Sequence, residues 1–236
     1  MYYYGGYGMF NSSYILVIIG AVICLLASAR VKSTYKKFAK VQSACGMTGA
    51  QAAEMILRRN GVLGVTVQHV AGSLTDHYDP ARGVVNLSDA TYNSSSVAAI
   101  GVAAHECGHV MQHETGYFPL RLRTALVPVA NIGSNFGIWI VMLGLIFGLN
   151  DTLAMIGIYL FSFGVLFQIV TLPVEFDASR RALVMLQDYG ILGQSEVSQS
   201  RSVLNAAAMT YVASAAASVL QLLRLLMLVN GGRRRR

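Results

Sequence analysis

A chain of 236 residues that is 54% AVILMFWYC and only 12% charged carries half the roughly 25% charge of an ordinary soluble domain, and its mean hydropathy is +0.51. This excludes a disordered, a collagenous or a purely soluble protein and makes a membrane protein the starting expectation. The net charge is +7, and the three cysteines, Cys24, Cys45 and Cys107, are odd in number and widely spaced, which excludes a disulfide framework and fits a reducing compartment or buried thiols.

The N-terminal MYYYGGYGMF reads as an aromatic anchor at the membrane interface. Residues 12–29 form an uncharged run close to the ~20 residues that cross a bilayer. No Lys or Arg precedes this run, so it is not a signal peptide. RVKSTYKKFAK, residues 30–40, follows it with five Lys/Arg and no acid, which orients a retained helix with its N-terminus outside. Two further uncharged runs span residues 126–149, with Pro128 expected in the first helical turn, and 153–172, expected to stop at Pro173. The loop Asn150-Asp151-Thr152 joins them as a hairpin. A fourth run, 203–229, is rich in Ala and Ser and carries Arg224. Three spans put all 18 Lys/Arg on the cytoplasmic side, whereas a fourth would place Arg233–Arg236 outside. Three are therefore favoured, with the fourth run packed on the catalytic region or lying in the interface. The basic residues flank apolar runs instead of covering a folded face, so they read as contacts to lipid and not to nucleic acid.

Between the first two runs lies a polar core. Thr48 to Gln51 fits a capping box and opens a helix over residues 50–59 that Asn60-Gly61 stops. Residues 63–70 predict a strand with Leu63, Val65 and Val67 on one face, and residues 84–87 a second strand after the turn residues Pro80 and Gly83. Ser94–Ser96 can cap a helix from about Val97 to Glu114 that ends at Gly116.

That last helix carries His105-Glu106-Cys107-Gly108-His109. The two histidines are one turn apart on one face and can bind a single Zn²⁺, while Glu106, rotated by about 100°, can serve a metal-activated water as general base. Burying these polar groups in an apolar helix without a partner costs several kcal/mol each. Ala103, Ala104 and Gly108 are small enough for another element to approach closely. His113 lies on nearly the same face, but three His on one straight helix splay too far for a tetrahedron, so a supporting or solvent-facing role is expected. His69 and His77 read as surface or turn residues, and Cys107 as a packing residue.

A catalytic site needs a third protein ligand. Glu175 and Asp177, in LPVEFDASRRAL, follow the third run, and the hairpin can return them beside the two histidines. Glu175 is the expected ligand; Asp177 would support a histidine or be the ligand itself. Arg180, Arg181, Tyr211 and His113 are candidate oxyanion donors, and both arginines also fit lipid-headgroup anchoring.

DHYDPARGVVNLS, SVAAIGVAAHECGHVMQHETGY, LPVEFDASRRAL and AAAMTYVASA, with the apolar N-terminus and its basic stretch, resemble the YugP-like neutral zinc metallopeptidases of bacterial membranes. The resemblance covers most of the chain. It implies a membrane-embedded, gluzincin-type zinc peptidase with His105, His109 and Glu175 as ligands and Glu106 as base. Membrane gluzincins often place an Asp four residues after the ligand Glu; here that position is Ser179.

The expected fold is mainly α with a small β-hairpin or sheet, a zincin-like core with three transmembrane helices, or four with the last run. The expected order is 1–29, outer tail and first span; 30–125, cytoplasmic catalytic core; 126–172, transmembrane hairpin; 173–236, third-ligand segment, apolar helix and basic tail. The expected activity is zinc-dependent hydrolysis of peptides or membrane proteins by a multi-pass plasma-membrane protein with its site on the cytoplasmic side. The rivals are a zinc-stabilised scaffold or chaperone and an intramembrane protease of the site-2 type.

Overall fold

The structure, a computed structural model, describes residues 13–146 and 151–233. The Tyr-rich N-terminal segment, Asn150 and Arg234–Arg236 lie outside the described residues. The elements in chain order are helices α1 (Tyr14–Phe38) and α2 (Gly49–Arg59), strands β1 (Thr66–Val70), β2 (His77–Asp79) and β3 (Val84–Ser88), and helices α3 (Asp89–Tyr92), α4 (Val97–Glu114), α5 (Phe118–Ile146), α6 (Asp151–Asp188) and α7 (Gln194–Arg233). The fold is mainly helical with one small sheet, and four helices, α1, α5, α6 and α7, are long and apolar enough to cross a membrane. The chain forms two compact units, one from residues 13–26, 123–146, 151–170 and 212–233, the other from Ala27–Leu122 and Thr171–Tyr211.

The first unit is a helical assembly whose outward positions, such as Ile15, Leu25, Phe136, Trp139 and Tyr159, are exposed large apolar side chains, as lipid contact requires. Glycines line the α5–α6 seam. A Cβ on Gly133 would stand 2.0 Å from the Leu160 carbonyl, one on Gly137 2.9 Å from the Phe161 nitrogen, and one on Gly144 2.8 Å from the Ala154 nitrogen. The helices touch backbone to backbone, the usual device where water gives no driving force for association. The last part of α7 joins this unit. Gly20 meets Ala217, the Arg224 guanidinium lies 4.1 Å from the Tyr14 ring centroid, and Leu225 and Val229 pack with Val141, Ala154 and Ile158. As α1 is followed back from residue 20 to 14, its partner on α7 advances from 217 to 224, so the two helices run antiparallel. Within the run 203–229, Leu204 joins the second unit's core, and the stretch from Val212 packs among the other apolar helices.

The second unit is built on α4. Ser96 caps it by accepting a hydrogen bond from the Ala99 amide, and Gly116 ends it at φ +60. Thr48 and Gln51 form the expected capping box at the start of α2. Apolar residues of α2 (Ala53, Ile56), β3 (Val85, Leu87), α6 (Ala182, Leu186) and α7 (Leu204) pack with Ile100, Ala104, Cys107 and Val110 of α4. The sheet order is β1-β3-β2, with β1 parallel and β2 antiparallel to β3. Asp79 fixes the β2–β3 turn by accepting from the Ala81 and Arg82 amides, and Gly83 takes φ +65 there.

Three sequence expectations are corrected. The first strand starts at Thr66, and Leu63, expected inside the strand on one face with Val65 and Val67, lies outside it and is 88% exposed, because the parallel register begins at Thr66–Val84 and leaves Leu63 unpaired before it. Pro128 stands inside α5, since that helix begins at Phe118 in the polar segment ahead of the apolar run. Pro173 does not end the third run but lies within α6, which carries on to Asp188. A proline at 173 removes the amide that would bond the Ile169 carbonyl and crowds that carbonyl with its ring, yet the helix continues beyond it.

The approach of α4 to α6 is the tightest contact that bears on the site. A Cβ on Gly108 would lie 2.4 Å from the Ala178 carbonyl oxygen. Gly108→Val should therefore cost about 1–3 kcal/mol through overpacking, read as a lower thermal-unfolding midpoint of the detergent-purified chain; an unchanged midpoint would contradict this packing.

Candidate metal centre

The α4–α6 contact brings His105, His109 and Glu175 together, with one ligand-type atom from each lying within 4.8 Å of the others. The His105 Nε2 is 3.4 Å and the His109 Nε2 3.7 Å from the Glu175 Oε2, and the two imidazoles meet edge to face at 82°. Three donors each about 2.0–2.1 Å from one tetrahedral zinc lie roughly 3.3 Å from one another, so this set fits the ion. Glu175 is 2% exposed, while the His105 and His109 side chains keep 15% and 13% exposure. Burial would push the His109 imidazole down, but hydrogen bonding to Glu175 and the charges of Glu106 and Glu175 outweigh it and hold its pKa above the ordinary histidine value.

Both ring nitrogens facing away from Glu175 have partners. The Ser179 Oγ lies 3.1 Å from the His105 Nδ1, and the Gln112 Oε1 lies 3.1 Å from the His109 Nδ1. Gln112 is fully buried and donates to the Val174 carbonyl at 2.7 Å and to Asp177 Oδ2 at 3.0 Å. Asp177 also accepts from Arg180 and, at 2.6 Å, from the Arg181 Nε, and the Arg181 guanidinium lies 5.7 Å from the Tyr117 ring centroid.

Of the remaining candidates, Glu106 is buried at 7% exposure next to His105 in the chain. Asp177 is outside the group of three and reaches His109 only across Gln112. Arg180, 68% exposed, and Arg181 both direct their guanidinium groups at Asp177. His113 is half exposed, 3.8 Å from Glu114 and edge-on to Tyr78, apart from the three. Tyr211 is a partly buried residue of α7. Cys107 is fully buried with its Sγ 3.7 Å from the Ala53 carbonyl, and burial, with the Glu106 charge second, pushes its thiol far up. His69 bonds Asp89, and His77 sits between the Thr75 carbonyl and Asn86, as exposed residues around the sheet.

Sequence reasoning missed Gln112 and Ser179 as partners of the histidines. Gln112 is three residues after His109, hence one turn on and on the same side. That spacing was a usable signal. Ser179 stands four residues after Glu175, also one turn on.

The comparisons with known proteins agree with this chemistry. Residues 13–230 match the family described as "Putative neutral zinc metallopeptidase", and the chain belongs to that family. Among curated proteins, "Putative membrane protease YugP" of Bacillus subtilis (strain 168) is 43% identical over 218 residues, covering 92% of this chain and 96% of that protein. No solved structure gives a significant match.

Substituting Ala for His105 or for Glu175 removes a donor from the set of three. The metal content of the purified chain should fall to background in each case and stay unchanged in Asp188→Ala, as measured by elemental analysis; retention of zinc by either site variant would break the assignment.

Proposed function

We propose that the chain is a membrane-anchored zinc endopeptidase. His105, His109 and Glu175 hold the ion, and Glu106 is the general base. The observation that carries the reading is the separation of the two Nε2 atoms from the Glu175 carboxylate, 3.4 and 3.7 Å, in a chain of this family. Zinc at that position supplies Lewis-acid polarisation of the scissile carbonyl and lowers the pKa of water towards about 7. Glu106, buried beside His105 in the chain, takes the proton from the attacking water and delivers it to the leaving amine. The partial exposure of both histidines leaves a side for substrate. An extended peptide can add to the outer edge of β1 or β2 but not to β3, which is paired on both sides. A closed structural site would call on a fourth protein ligand, and Cys107, the nearest thiol in sequence, is turned to the Ala53 carbonyl instead.

We further propose that all four long helices span the bilayer. Residues 212–233 of α7 cover about 33 Å at 1.5 Å per residue, enough for a hydrocarbon core of ~30 Å. Their antiparallel packing on α1 and their contacts with α5 and α6 support a crossing over an interfacial position. Of the 18 Lys/Arg, 13 lie between Arg30 and Arg201. Their side is then the cytoplasm, with the site there and both chain ends outside. The terminal arginines are a minority charge that the helix packing outweighs.

Glu106→Gln should keep zinc and lose peptide hydrolysis by at least a hundredfold, in an assay with a chelator control; wild-type turnover in that variant would remove the base. A cysteine appended after Arg236, in a chain with its three native cysteines replaced by Ser, should react with an impermeant thiol reagent in intact cells. Protection until lysis would restore the three-span arrangement.

A further inference from the structure

We infer that Gln112 is a positioning residue that fixes the tautomer of His109, and that Asp177 acts on the metal centre only through it. This rests on the zinc-site reading above. The Gln112 amide has one satisfactory orientation. Its Nε2 donates to the Val174 carbonyl at 2.7 Å and to Asp177 Oδ2 at 3.0 Å, which commits both hydrogens, and its Oε1 faces the His109 Nδ1 at 3.1 Å. Turning the amide over would set an oxygen against a carbonyl and a carboxylate, three acceptors with no hydrogen among them. The Oε1 can only accept, so the His109 Nδ1 carries the hydrogen, and the neutral ring offers its lone pair at Nε2, the atom directed at Glu175. Gln112 has no solvent exposure, so water cannot replace either contact.

Asp177 is anchored from its far side by Arg180 and Arg181. Its charge is met by two guanidinium groups, and what it passes inward is the orientation of a neutral amide. His105 is held differently. Its partner is the Ser179 hydroxyl, which can donate or accept and so imposes no tautomer. The two histidines are therefore unequal: one is locked by a chain of directed hydrogen bonds, the other adapts.

The test uses the full-length chain in detergent, with zinc affinity measured against a chromophoric chelator and the visible spectrum of the cobalt-substituted protein as a second readout. Gln112→Met should weaken zinc binding 10–100-fold, the range of lost partners to metal ligands, and shift the cobalt bands. Asp177→Leu, which removes the acceptor for the Gln112 amide, should weaken it as well, but should add nothing in the Gln112→Met background. Gln112→Asn, which keeps a buried amide but withdraws it by one methylene, is the second variant should Gln112→Met not fold, and the same lack of additivity is expected of it. Zinc affinity within twofold of wild type in the Gln112 variants, or losses that add in the double variants, would overturn the inference while leaving the metal site standing. A wild-type chain that binds no zinc would overturn both.

Discussion

The candidate centre depends on one contact between two helix backbones. Gly108 sits where any Cβ would come within 2.4 Å of the Ala178 carbonyl oxygen, and this lets α6 lie close enough to α4 for Glu175 to reach the space between His105 and His109. The polar groups around the site follow from the same approach. Gln112 reaches the Val174 carbonyl, and Ser179 reaches His105, because both helices bring main chain and short side chains into range. Longer side chains at this crossing would hold the helices apart and take Glu175 and Gln112 away from their partners across it, at about 1–3 kcal/mol for each buried polar group left unsatisfied and more for a charged one.

Each histidine is held from behind, but the supports have different strengths. His109 leans on a fully buried amide that is tied to an ion-paired carboxylate, whereas His105 leans on a hydroxyl. Asp177 thus stands one residue removed from the His109 ring. Its arginine partners face outward, Arg180 strongly so, so three hydrogen bonds in series separate the guanidinium groups from the His109 ring.

Much of this was legible in the residues. The HExxH spacing, the capping box at Thr48, the Ser96 cap, the Gly116 stop and the acid returning after the third apolar run each rest on a local rule. What was not legible depended on long-range context. Nothing near Leu63 says that the parallel register with β3 starts only at Thr66. Pro173 reads as a terminator from its own chemistry, yet the packing of α6 on α4 keeps the helix going and places Glu175 on it. The fate of residues 203–229 was ambiguous because charge counting and packing pull in opposite directions: the terminal arginines favour an interfacial helix, while Ala217, Arg224, Leu225 and Val229 find partners on α1, α5 and α6.

The groups that α4 meets at positions 174 and 178, a carbonyl that accepts a hydrogen bond and a carbonyl that is only approached, belong to the main chain and are supplied by any amino acid. Gln112 grips the main chain of Val174, and Gly108 abuts the main chain of Ala178. Evolution can therefore exchange the residue at 174 without disturbing the grip. Correlated substitution between related sequences would be silent about this pairing, however strongly it constrains the histidine, and would report only the Asp177 end of the chain of contacts.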